Sequence, residues 1–107
     1  MAYSVFKYVI GFDDGYFPAS YKARRGKTIV AGVCVLNNTF ITSVTYGYVT
    51  IDGRETENNI IQQLKLHPRI ELVLLDGVTY SGFDVVDPDR VHDATGYPVI
   101  TIQAYPV

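Results

Sequence analysis

Five carboxylates stand at the ends of apolar or β-rich runs: Asp13 and Asp14 in "VIGFDDGYFP", Asp52 and Glu55 in "VTIDGRET", and Asp76 in "IELVLLDGV". Hard oxygen ligands of this kind suit Mg²⁺ or Mn²⁺, and such ions can activate a water for attack on a phosphodiester. Asp-Gly pairs at 14–15, 52–53 and 76–77 are equally ordinary turn chemistry. Aspartates at the mouth of a strand could also form a phosphoacceptor pocket. Which chemistry applies depends on whether the chain brings these groups to one place.

A second cluster is basic. Lys22, Arg24, Arg25 and Lys27 place four of the nine positive charges within six residues, directly after the Asp13–Asp14 pair. They could neutralise a nucleic-acid backbone, with Tyr16, Phe17 and Tyr21 available for base stacking, or simply form a solvated hairpin loop. The formal net charge of −2 means that any surface for DNA or RNA must be local. His67 before Pro68 fits a helix end, where the dipole favours it. His92 fits surface polarity, and Asp87 and Asp89 fit helix capping, with Asp87 the best additional acidic candidate. Thr79, Tyr80 and Ser81 offer hydroxyls near Asp76, but no Ser-His-Asp or Cys-His spacing, Gly-rich phosphate loop, zinc motif or dinucleotide fingerprint occurs.

The elements that must position these groups follow from pattern. A chain of 107 residues with 48% hydrophobic and 19% charged residues forms one globular domain. The single Cys34 lies in the apolar run "TIVAGVCVL" and reads as a core thiol in a reducing compartment. No apolar run approaches the ~20 residues of a membrane span. The start lacks a leader pattern, so a cytoplasmic location is expected.

Residues 3–12 predict a strand, 13–27 a long loop, 28–36 a strand apolar on both faces, and 39–51 a third strand. Asn37-Asn38 predicts a tight antiparallel hairpin between the last two. Thr56 is the expected cap of a helix whose Ile60, Ile61 and Leu64 share one face, and Pro68 stops it. A buried strand over 70–76, a helix from Asp87 to Gly96 and a strand over 98–105 complete the order β-β-β-α-β-α-β.

Three meandering strands followed by two right-handed crossovers give a mixed five-stranded sheet of order 3-2-1-4-5, with strand two antiparallel. This is the ribonuclease H-like α/β architecture. Strands one, three and four then end at one rim and bring Asp13, Asp14, Asp52, Glu55 and Asp76 towards each other, with Glu57 nearby. Both helices fall on one face of that sheet. The other face is left bare although strand two is apolar throughout, which predicts either a homodimer through that face or a missing C-terminal segment.

"GFDDGYF", "VTIDGRET", "LLDGVTYSGFDVVD" and "TGYPVI" resemble successive signature segments of an archaeal family related to endonuclease V, catalogued as domain of unknown function 99. The likeness runs from about residue 8 to residue 102, and family members usually continue well beyond it. It implies a ribonuclease H-like fold, Mg²⁺ held by carboxylates, and nucleic-acid cleavage. Asp13 in "GFD" falls at the endonuclease V first-strand aspartate, Glu55 in "GRE" at its phenylalanine-arginine-glutamate motif, and Asp76-Gly77 at its aspartate-glycine. Its histidine-proline-arginine run, its late lysine and its proline-tyrosine wedge have no counterpart here.

"NNIIQQLKLHPRIELVLLDG" and "PVITIQAY" also resemble parts of response-regulator receiver domains, a likeness that implies Asp13 and Asp14 holding Mg²⁺ and Asp76 accepting a phosphoryl group. Receivers pass directly from the acidic pair into a helix, whereas "DDGYFPASYKARRGK" is broken by glycine and proline. The expected function is therefore metal-dependent phosphodiester hydrolysis with Asp13, Glu55 and Asp76 as ligands and Asp14 and Asp52 in support. The rival is a non-catalytic nucleic-acid-binding or assembly module.

Overall fold

The computed structural model describes residues 6–15, 26–82 and 84–102. Strand β1 (Tyr8–Asp14) pairs antiparallel with β2 (Lys27–Leu36), and β2 pairs antiparallel with β3 (Phe40–Thr50). Asn37 and Asn38 both take positive φ, 52° and 58°, and Thr39 N–H donates to Leu36 O at 3.0 Å. That is the tight turn expected of an Asn pair, because a short polar side chain tolerates left-handed backbone. Strand β4 (Leu72–Asp76) lies parallel to β1 and to the final strand β7 (Val99–Ile102). The sheet order β3-β2-β1-β4-β7 is the expected 3-2-1-4-5, with β7 as the fifth strand.

Helices α1 (Thr56–Leu64) and α2 (Pro88–Thr95) pack on the same face. Beneath them lie Ile10, Phe12, Val30, Cys34, Val49, Val73 and Leu75, closed over by Ile60, Leu64 and Val91. Cys34 is thus a core thiol, as its apolar context implies. Although β2 is apolar on both faces, the described residues cover only one: Thr28, Val30, Gly32 and Cys34 are buried, whereas Ile29, Ala31 and Val33 are half-exposed. The reason is handedness, since two right-handed crossovers running in one direction deposit both helices on one side.

Asp87 caps α2 by accepting Asp89 N–H at 2.9 Å, Pro88 follows it, and Gly96 ends the helix at φ 78°. The start of α1 corrects expectation. Thr56 lies inside the helix, the cap position is Glu55, and the Thr56 N–H donates to buried Asp84 Oδ2 at 3.0 Å. The cap is therefore supplied from 28 residues away by a hairpin, β5 (Thr79–Tyr80) with β6 (Asp84–Val85), too short to show in the sequence. His67 also differs. It is buried with Nδ1 2.5 Å from Ser43 Oγ and Nε2 2.8 Å from Thr45 Oγ1, and burial pushes its pKa down. A ring so held stays neutral, so packing between hydroxyls rather than a charge–dipole contact fixes it.

Gly32 marks the closest approach within the core: a Cβ there would meet Phe12 Cε1 at 2.5 Å. Phe12 is buried under the sheet and has little room to yield. Gly32→Ala should destabilise the fold by about 1–3 kcal/mol, the usual range for overpacking, read as a lower urea midpoint at unchanged slope.

Candidate metal centre

Strand β1 runs further than its composition suggests. Asp13 pairs with Ala31 and Asp14 with Val30, and Gly15 N–H extends the ladder to Ile29 O at 2.8 Å. Both acids therefore lie within the strand rather than in the loop after it. Successive strand residues point to opposite faces, so the two carboxylates separate. Asp13 joins Gly11 on the uncovered face, and Asp14 joins Phe12 on the helix side.

Asp14 is committed to structure: its Oδ2 accepts Ser81 N–H at 2.7 Å. Ser81 takes a positive φ of 52°, and its carbonyl accepts Asp52 N–H at 2.6 Å. The Asp52 side chain lies against Gly82. Ser81 thus sits between Asp14 and Asp52 and ties the β5–β6 hairpin to both.

Asp13 and Asp76 make the exposed pair. The register Phe12–Leu75 sets Asp13 and Asp76 side by side one step later, at adjacent parallel strand ends. Desolvation by partial burial pushes the Asp13 pKa up, and the charges of Asp76 and Asp14 add to that rise. An N–H of Asp14, donated to Asp13 Oδ1 at 2.8 Å, opposes it in part. Beneath them Tyr80 is fully buried and its hydroxyl donates to Phe12 O at 3.4 Å. Burial, then the charges of Asp13, Asp76 and Asp14, push the Tyr80 phenol up, so it stays protonated. The centre is a pair of repelling carboxylates above a neutral phenol.

Glu55 does not join them. Its carboxylate accepts Thr50 Oγ1–H at 2.6 Å and Thr50 N–H at 3.1 Å, and these bonds lower its pKa, with Lys27 contributing. Among the described residues no three His, Cys, Asp or Glu side chains converge to hold an ion. Glu57 accepts Asp87 N–H at 2.9 Å and lies 3.8 Å from Arg90. His92 is exposed, with Nδ1 2.7 Å from Tyr97 O. Of the basic cluster, Lys27 is exposed at the start of β2, while Tyr16, Lys22, Arg24 and Arg25 lie outside the described residues.

Tyr80, Ser81 and Asp84 are the residues that sequence reasoning undervalued. Only the hydroxyl-rich "TYS" after Asp76-Gly77 hinted at them.

Residues 7–107 match the family model described as endonuclease dU. The chain belongs to the endonuclease dU family. A family-level relative is the UPF0215 protein TK2033 of Thermococcus kodakarensis, 38% identical over 96 residues, which are 88% of this chain and 49% of that protein. The chain therefore spans about half the length of the curated relatives it matches. Among solved structures it is similar to endonuclease V of Ciona intestinalis in complex with a 24mer DNA containing an inosine followed by a ribo-adenosine. The TM-score is 0.68 at 18% identity, covering 96% of this chain and 48% of that one. It is also similar to LC11 ribonuclease H1 in complex with an RNA/DNA hybrid, with a TM-score of 0.52 at 12% identity, covering 92% and 86%. The fold of this endonuclease dU family domain is ribonuclease H-like. Its β2, antiparallel to both neighbours, excludes the all-parallel sheet of a receiver domain. Among the described residues no helix is long and apolar enough to cross a membrane.

Because partial desolvation, with the charges of Asp76 and Asp14 adding to it, raises the folded-state pKa of Asp13, ionising it costs stability once pH climbs through that value. Asp13→Asn should raise the thermal midpoint at pH 7. The gain should be under about 1 kcal/mol for so exposed a charge, and should vanish as pH falls below ~4. Thermal melts of both proteins across that range check it.

Proposed function

We propose that this domain is a metal-dependent nuclease domain in which Asp13 and Asp76 hold Mg²⁺ or Mn²⁺ against a phosphodiester. The observation that carries this is the side-by-side placement of two repelling carboxylates at adjacent parallel strand ends, above a buried phenol. Repulsion of this kind is relieved by a cation. Mg²⁺ is commonly held by one or two carboxylates while its other positions go to water and substrate phosphate, so a pair suffices. Bound there, the ion would supply Lewis acidity and a water of lowered pKa.

The chain's own residues divide the work. Asp13 and Asp76 bind the ion. Asp14, through Ser81 N–H, holds the hairpin that carries Tyr80 beneath them. Asp52 steadies the same hairpin from its other side. Glu55, expected as a third ligand, serves instead to close the corner between β3 and α1. Lys22, Arg24, Arg25 and Lys27 follow β1 in the chain and are assigned to the DNA or RNA backbone, with Tyr16 available to stack on a base. The family's name points to deoxyuridine, and the endonuclease V relative in fold was captured on inosine. Both are deaminated nucleosides, so deoxyuridine-containing DNA leads the substrate panel. The engagement of Glu55 by Thr50 favours one rival: a domain that binds nucleic acid without cutting it.

Thermal unfolding in rising Mn²⁺ or Mg²⁺ separates the two. A specific site should raise wild-type stability by ~2.7 kcal/mol at a hundredfold excess over the dissociation constant, and Asp76→Asn should abolish the rise. Cleavage of deoxyuridine DNA, against inosine-containing and undamaged DNA, should fall at least ~100-fold in the same variant. A wild type indifferent to either ion, yet binding DNA, would establish the non-catalytic role.

A further inference from the structure

Taking Asp13 and Asp76 as the metal ligands of the nuclease reading, we propose that the Tyr80 hydroxyl is their positioning group. It ties β1 to β4 at the step where the two carboxylates leave the sheet, and so makes the pair select Mg²⁺ over Ca²⁺.

Direct pairing of β1 with β4 runs from Val9–Leu72 to Phe12–Leu75 and stops one step short of the carboxylates. Beyond that step each ladder continues on its outer side, with Asp13 and Asp14 paired to β2 and Asp76 paired to β7. Sheet twist turns neighbouring strands apart by ~20–25°, so two chains diverge past their last pair unless something joins them. Tyr80 supplies the join. Its hydroxyl donates to Phe12 O, the carbonyl immediately before Asp13, at 3.4 Å. A backbone hydrogen bond from Asp76 reaches the same phenol oxygen. One oxygen therefore touches the residue before one carboxylate and the residue that bears the other.

The phenol is itself held. Tyr80 is fully buried and pairs with Asp84 in the β5–β6 hairpin. Ser81, next to it, donates its N–H to Asp14 Oδ2 at 2.7 Å, and Asp84 Oδ2 takes the Thr56 N–H at 3.0 Å. A hydroxyl anchored in this way fixes the backbone from which both carboxylates hang. Bulk alone would be supplied by phenylalanine, without the cost of burying a hydroxyl. The bond to Phe12 is long for an O–H donor and returns little stability. What the oxygen contributes is placement.

Placement decides between ions. Mg²⁺ demands near-ideal octahedral geometry with oxygens at ~2.0–2.1 Å, whereas Ca²⁺ accepts about six to eight oxygens at ~2.3–2.6 Å in flexible arrangements. A pair held in fixed directions favours the exacting ion. A pair free to spread favours the tolerant one.

Thermal unfolding in rising Mg²⁺ and, separately, in rising Ca²⁺ gives the affinity for each ion, with Asp76→Asn as the baseline for binding elsewhere. In Tyr80→Phe the Mg²⁺ affinity should fall ~10–100-fold, the range for losing a group that orients a ligand, while Ca²⁺ affinity falls by much less. The far-ultraviolet spectrum and the metal-free midpoint should stay close to wild type, because the ring remains in place. If Tyr80→Phe does not fold, Asp14→Ala, which frees the Ser81 N–H from β1, should lower the Mg²⁺/Ca²⁺ affinity ratio in its stead. An unchanged ratio in a folded variant overturns the positioning role, and so does an equal loss for both ions, which marks a general loosening. A wild type that binds neither ion overturns the metal reading itself and this role with it. One that binds Mg²⁺ equally well with and without the hydroxyl overturns the role of Tyr80 alone.

Discussion

Parallel pairing of β1 with β4 holds two acidic residues, 63 positions apart in the chain, on neighbouring strands. Strands in one sheet lie ~4.8 Å apart, and no rearrangement short of breaking the sheet can separate the backbones further. Much of the nearby structure accommodates that constraint. Tyr80 lies beneath the pair as a neutral phenol. Asp14 turns to the other face and is absorbed by Ser81 N–H. The hairpin that carries Tyr80 then reaches α1 through Asp84, so the centre and the helix start share one support.

That sharing explains why the β5–β6 hairpin matters beyond its four paired residues. Its backbone meets Asp14 and Asp52 at Ser81, and its Asp84 side chain meets Thr56. Strand end, helix start and connecting turn are therefore mutually braced. Replacing the Asp14 or the Asp84 carboxylate leaves a backbone N–H unsatisfied rather than merely removing a charge.

The sheet order was legible in the sequence because it depends on few decisions: a two-residue Asn turn, two helical stretches with sound stop signals, and the single hand of parallel crossovers. Asp87, Pro88 and Gly96 marked α2 because capping is local chemistry. What could not be read was anything settled across long sequence distance. Thr56 looked like a cap because its partner Asp84 lies 28 residues away. His67 looked like a helix-end cation because Ser43 and Thr45, which enclose it, belong to another strand. Glu55 matched a motif by position, but its carboxylate is held by Thr50, a contact set by the turn geometry at 51–54. The Asp13–Asp76 pair was anticipated because parallel neighbours ending together is a topological statement, whereas the orientation of each side chain is not.

Asp13 and Asp14 are chemically identical, yet one faces the open side of the sheet and the other is bonded within the fold. Nothing in their own structure makes that choice. It is made upstream, where Ile10 and Phe12 must both point into the core. A slip of β1 by one residue would exchange the roles of the two aspartates without changing the chemistry offered at the rim, but it would turn Ile10 and Phe12 out into water. The hydrophobic core thus acts as the register pin for the centre, and the specificity of one aspartate over its twin is a property of packing rather than of acidity.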